Sequence, residues 1–266
     1  MSSKPWLTTL LTTAEHLPSR ESVMEAMNQV PGYETVPFQF VVEMPDHFIF
    51  RSHSATLAVS LANPEQEVPF ETLKASCARA WHWVDAAREV SQATRQIVLA
   101  VLPEEDTLEP LDIALLLTAL TVAVLKNVSA KAVYWNHSGM LHAPDSFISH
   151  AQGMNRLAIP VELWVDFRLV LNSDLTLSIG TWGLKAFALA ELEVSHSHHD
   201  TKWLLRWLFN LAHNMLEKGP PDTEAEHTFG QSDKESFTLK YEQTAPEFNR
   251  AGLEEVLRVE FERARD

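Results

Sequence analysis

A chain of 266 residues with 45% hydrophobic and 21% charged residues can bury a full core, as one large domain or two small ones, which excludes a largely disordered polypeptide. Its formal charge of −15 repels phosphates, so nucleic acid is not expected as a partner, whereas a basic protein is. The single cysteine, Cys77, excludes an internal disulfide framework and a cysteine-rich zinc site, and fits a reducing compartment.

Residues 1–35 read as an N-terminal helical arm. Ser22 and Glu25 form an S-x-x-E capping box, and Pro31-Gly32 ends the segment. The first residues lack the cleavage site of a signal peptide. Val36 to Met44 predicts a strand. Phe48 to Leu61 predicts a second that bends or carries a bulge. A helix follows from about Pro69 to Ser91, with Leu73, Cys77, Trp81, Val84 and Ala87 on its buried side and Trp83 opposite. Gln96 to Leu102 has the apolar character of a strand buried on both faces.

The acidic segment Pro103 to Asp112 leads into a helix from Leu111 to Leu125, apolar nearly all round and therefore central. Its apolar run, Ile113 to Leu125, is too short to span a bilayer, and a cytoplasmic protein without membrane contact is expected. A strand and turn over Ala130 to Ala143 precede a short helix opened by Pro144. Val161–Leu171 and Leu175–Thr181 predict two strands joined by a turn at Asn172-Ser173-Asp174. The third strand, through Val194, places Glu191 and Glu193 on one face and Ala188, Ala190, Leu192 and Val194 on the core face. Thr201 to Glu217 is an amphipathic helix stopped by Gly219-Pro220-Pro221. Ser236 to Gln243 is a last strand, and Gly252 to Asp266 has a helical pattern. The expected fold is α+β, with mixed, largely antiparallel sheets packed by helices. Residues 36–266 would form a single large domain, with two halves meeting near 144–157.

Little in the residues specifies chemistry. His196, His198, His199 and Asp200 are neutral-imidazole and carboxylate groups suited to zinc, nickel or copper, or else a solvated loop in which Asp200 caps the next helix. Paired carboxylates such as Glu191 and Glu193 divide acid and base roles only where their environments differ. His137, Ser138 and His142 are close in sequence, which does not make a catalytic pair. Neither a nucleophile elbow, a dinucleotide fingerprint, a phosphate loop nor an H-E-x-x-H pattern is present, so no catalytic residue, metal site or cofactor is assigned. Of the eight tryptophans, Trp83, Trp135 and Trp6 have no obvious core position, and Trp83 and Trp135 are candidate partner contacts.

Three blocks together resemble a bacterial domain-of-unknown-function family, number four-two-six-one. The first runs from Leu61 to Val90, with Asn63-Pro64, Pro69 and Trp83. The second is Ala132 to Ile148. The third is Ile159 to Val194, with Pro160, Trp164, Thr181, Gly183, Leu184, Glu191 and Glu193; Ala188 stands there at a glycine position of the pattern. The resemblance spans about Val36 to Leu216. It implies a bacterial cytoplasmic protein of type VI secretion or polymorphic-toxin systems, where small acidic proteins serve as immunity partners. The expected function is therefore non-enzymatic: an immunity protein that occludes the active site of a basic toxin such as a nuclease. The acidic contacts would be Glu104, Glu105, Asp106 and Glu109, or Glu224 and Glu226, with Trp83 and Trp135 as anchors. The alternatives are an effector adaptor or chaperone, and a small hydrolase or metal enzyme using the His196–Asp200 loop. Exposed aromatics and strand edges also permit a homodimer.

Overall fold

The computed structural model describes residues 4–30, 32–33, 37–63, 68, 70–104, 108–223, 227–228, 236–250 and 254–261. The chain has an α+β fold of largely antiparallel sheets packed by helices. It divides into two compact units, residues 1–164 and 165–266, so the division falls just beyond the 144–157 stretch.

In chain order, the N-terminal unit contains β1 (Trp6–Thr12), α1 (Arg20–Met27), β2 (Gln39–Met44), β3 (His47–Arg51), β4 (Ala55–Leu61), α2 (Phe70–Arg79) and α3 (Ala86–Ser91). Then come β5 (Arg95–Pro103), α4 (Pro110–Leu125), β6 (Ala130–Trp135), β7 (Met140–His142), α5 (Pro144–His150) and α6 (Val161–Trp164). Its seven strands lie in the order β2-β3-β4-β5-β1-β6-β7, each antiparallel to its neighbours.

The first residues are not a helical arm. β1 is an interior strand of the sheet, with Leu10 opposite Ile97 on one side and Val133 on the other. The threonines that interrupt its apolar residues are β-branched and suit a pleated surface; Thr8 and Thr12 are buried there. The helix that follows is capped by Ser19 rather than Ser22: the Ser19 hydroxyl accepts from the Ser22 amide at 3.2 Å.

α4 is the core of this unit. Nearly every residue is buried, and the helix packs on β1, β5 and α1. Its two threonines hide their polarity by donating to carbonyls one turn back, Thr118 to Ala114 and Thr121 to Leu117, both at 2.7 Å. Thr118 also accepts from Trp164 Nε1 at 2.9 Å, which ties α6 to the core. Among the described residues no helix is long and apolar enough to cross a membrane.

Four sequence expectations change here. Phe48 to Leu61 is a hairpin, β3 to β4, because the Ser52 hydroxyl accepts from the amides of Ser54 and Ala55 and turns the chain. The long helix is two short ones, α2 and α3. Helical phase is lost after Arg79, so Trp81 and Val84 are 69% and 98% exposed while Trp83 packs on the cluster around Leu73 and Val90. β5 is buried on one face only, since Leu102 is 40% exposed between buried Val101 and Pro103. The C-terminal helical pattern is instead a strand, 255–261, whose neighbours supply the ladder that an isolated helix would have had to supply itself.

The C-terminal unit contains β8 (Asp166–Leu171), β9 (Leu177–Trp182), β10 (Leu192–Ser197), α7 (Thr201–Lys218), β11 (His227–Thr228), β12 (Ser236–Gln243) and β13 (Glu255–Phe261). Its sheet order is β11-β12-β13-β10-β9-β8, antiparallel except for β10 and β13. Asp200 caps α7, with Oδ1 accepting from the amides of Lys202 and Trp203 at 3.0 Å. The helix buries Leu204, Trp207, Leu208, Leu211 and Met215 at helical spacing. Between β9 and β10, residues 184–187 form a 3₁₀ turn rather than a strand, and Ala188 ends it in the left-handed region at φ 59°. A glycine would adopt that backbone freely, whereas alanine is strained there.

Candidate interaction surface

The two faces of the N-terminal sheet are covered unequally. One carries α4, which packs on β1 and β5. On the other, α2 and α3 cover only the end over Leu11, Ala132 and Leu141. The remainder is half-buried, with Leu7, Val42, Ile49, Ala58 and Ala100 of intermediate exposure and Thr9 buried, and its register can be read strand by strand. Val42, Ile49, Ala58, Ala100 and Leu7 are paired partners in one row across β2, β3, β4, β5 and β1. His47, Ser60, Val98 and Thr9 form the row on one side; Arg51, Thr56 and Leu102 form the row on the other. The central row has no charge, and Met44 and Leu102 beside it are 54% and 40% exposed. This row runs five strands wide without a charge in a chain with 36 acidic residues.

Carboxylates stand at both ends of this face. Asp46 lies at the β2–β3 turn, 69% exposed beside His47. Glu104, 41% exposed, accepts from the Thr56 hydroxyl at 2.9 Å and pairs with Arg51 at 3.5 Å. An apolar centre with a polar rim is the anatomy of a protein–protein contact. β2 is the outer strand, paired among the described residues only with β3, and its bulge between Phe40 and Val42 twists the edge as natural sheets do to discourage stray pairing.

Of the residues expected to meet a partner, Glu104 belongs to this rim. Glu109 precedes α4 and is held with Asp112 by Arg156, at 2.9 Å to Glu109. Glu105, Asp106, Glu224 and Glu226 lie outside the described residues. Trp135 is fully buried, with its ring 6.3 Å from that of Trp164, and Trp83 is packed against the α2–α3 cluster. Trp135 therefore builds the core and offers no exposed anchor, while Trp83 is half-buried. The residues of this face were missed because the strand alternation of β3 to β5 was read as a bend and as a two-face burial.

His142 is a strongly perturbed titratable side chain of this unit. It is buried against Phe147 and His82, and Nε2 lies 3.2 Å from the Leu163 carbonyl, which only a protonated Nε2 can serve. Burial pushes its pKa down to about 3, with the nearby His82 adding to the effect, so the ring is neutral.

In the C-terminal unit the paired glutamates are not exposed. Glu191 reaches back over the 3₁₀ turn, accepting from the Gly183 and Lys185 amides at 2.8 and 3.1 Å and from the Thr181 hydroxyl at 2.8 Å. Burial raises its pKa, and the donated hydrogen bonds oppose the rise. Glu193 is fully buried by residues 244–250, which fold over the sheet. Thr244 Oγ1 (2.6 Å), the Ala245 amide (3.0 Å) and Arg250 Nε (2.8 Å) donate to it, and Arg258 lies 3.3 Å away. Arg250 and Arg168 each lie over the Trp182 ring, at 3.8 and 4.0 Å from its centroid. Both carboxylates are thus fastened into the fold by donors on every side. Sequence alternation placed them in solvent because it could not see the covering segment.

The histidine loop is also engaged structurally. His196 Nδ1 is 3.0 Å from Asp174, whose carboxyl the Thr176 hydroxyl and amide hold down to about 2. His199 stacks on Trp203 at 4.7 Å, and Asp200 caps α7. Among the described residues no three metal-type side chains converge. A cavity of about 620 Å³ lies beside this loop, walled by residues 194–199, by residues 258–261 and by Glu242.

No family model, curated protein or solved structure matches the chain.

Proposed function

We propose that this chain is a non-enzymatic binding protein, an immunity protein that neutralises a secreted bacterial toxin of the type VI class by occluding its active site. The observation that supports this reading is the face of the N-terminal sheet whose central row carries no charge, with carboxylates at both ends. Its apolar centre supplies desolvated contact area, and a charge of −15 draws in a basic partner such as a nuclease. Binding here needs no reactive group: a rigid sheet laid over a cleft excludes substrate by volume alone.

The test is co-purification with the cognate toxin, captured from the source bacterium, and assay of the toxin free and bound. A stoichiometric complex with toxin activity lost is the expected result. Ala58→Arg, in the middle of the central row, places a charge in the contact without touching the α4 core and restores toxin activity while the protein stays folded. A toxin that remains fully active in the complex would replace this reading with that of an effector adaptor.

A further inference from the structure

The C-terminal sheet ends at β8, which is paired among the described residues only with β9. One bond sets the direction of its outer edge. The Asn172 amide donates to the Thr176 carbonyl at 2.9 Å, in phase with the β8–β9 register. By strand alternation the main-chain groups of Arg168 and Val170 also face β9, and those of Phe167, Leu169 and Leu171 face away from it. The side chains of these three residues share the sheet face that carries α7, where Phe167 stacks on Phe209 at 6.2 Å. Leu169 and Leu171 are 38% and 72% exposed.

This edge lacks the usual protections against pairing. β2, the outer strand of the other sheet, is bulged. β8 instead pairs with β9 over its whole length without a register shift, and it contains neither proline nor lysine. Its two charged side chains satisfy each other, with Arg168 Nε donating to Asp166 at 2.7 Å. A regular apolar edge with no unpaired charge is a template for another strand.

The pattern is also complementary to itself. We propose that β8 pairs antiparallel with β8 of a second copy of this chain, about a two-fold axis at Leu169. Leu169 then exchanges both main-chain bonds with its own copy, and Phe167 does so with Leu171 of the second copy. The same symmetry sets Arg168 against Val170 rather than against another arginine, so like charges do not face each other. Phe167, Leu169 and Leu171 of both copies join in one apolar row beside α7. Each edge is used once, so the assembly closes at a dimer. This edge lies in the other unit from the N-terminal sheet, and the proposal stands independently of the immunity reading. It also responds to salt with the opposite sign. Two copies of charge −15 repel, and salt relieves that repulsion, whereas salt weakens the capture of a basic partner.

The experiment is sedimentation equilibrium of the full chain over a concentration series at two ionic strengths, with amide hydrogen exchange on the same samples. A monomer–dimer equilibrium is expected, tightened by added salt. The amides of Phe167, Leu169 and Leu171 should exchange more slowly as the dimer fraction rises. Leu169→Lys and Leu169→Glu each set like charges face to face at the axis and should weaken dimerisation about tenfold or more, with the melting temperature of the monomer unchanged. An equal mixture of the two variants should regain the dimer, since opposite charges then meet at the axis. A monomer at every concentration would overturn the proposal. So would a dimer protected at β2 instead, a dimer that Leu169→Lys leaves intact, or a variant mixture that stays monomeric.

Discussion

His142 makes the acid stability of the N-terminal unit predictable. Its folded pKa of about 3 lies below the 6.5 of an ordinary histidine, so as pH falls the unfolded chain takes up the proton first. The contribution to stability is therefore whole above pH 6.5 and is lost as pH falls from 6.5 towards 3. At pH 5.0 the loss is set by the unfolded value, because the folded ring is still neutral; 1.5 pH units correspond to about 2 kcal/mol. His142→Gln is the matched perturbation: it keeps an N–H for the Leu163 carbonyl and removes the titration. Urea unfolding followed by tryptophan fluorescence, at pH 7.5 and 5.0, gives the wild-type advantage at each pH. That advantage should shrink by about 2 kcal/mol on acidification. Glu191, whose raised pKa acts with the opposite sign by favouring the folded state at low pH, cancels in the wild-type-minus-variant difference. An unchanged difference between the two pH values would refute the assignment of His142 as a buried neutral ring.

The remaining predictions concern the C-terminal unit. Glu193→Gln leaves Arg250 buried without its counter-charge and Arg258 with Glu242 alone, and should cost about 3–5 kcal/mol, read as a fall in the urea midpoint. Ala188→Gly relieves the left-handed strain at φ 59° and should raise stability by about 0.5–1 kcal/mol once the added chain entropy is subtracted; a lower midpoint would contradict this. Gly180→Ala puts a Cβ 3.0 Å from Phe248 Cε1 and 3.2 Å from Arg250 Nη2. It should cost about 1–3 kcal/mol and, by lifting the covering segment, speed amide exchange at Ala245.

The amino-acid sequence by itself determined the elements whose signals are local. The acidic lead-in and the largely apolar run Ile113 to Leu125 specify α4 as a buried helix. Asp200 and the tryptophan–leucine spacing specify α7, and Asn172 to Asp174 specify a hairpin turn. These need only a cap, a period or a turn residue within a few positions. Tertiary structure decided the rest, because the deciding partner is remote in sequence. β1 is a strand because β5 and β6, more than 80 residues on, pair with it. β13 is a strand because β12 and β10 supply its ladder, although its residues also fit a helix. Glu193 is buried because Arg250 and Thr244 close over it, and the same polar alternation would have left it in water without them. The less covered face of the N-terminal sheet follows the same rule: alternation shows that two faces exist, and only packing decides which of them a helix covers.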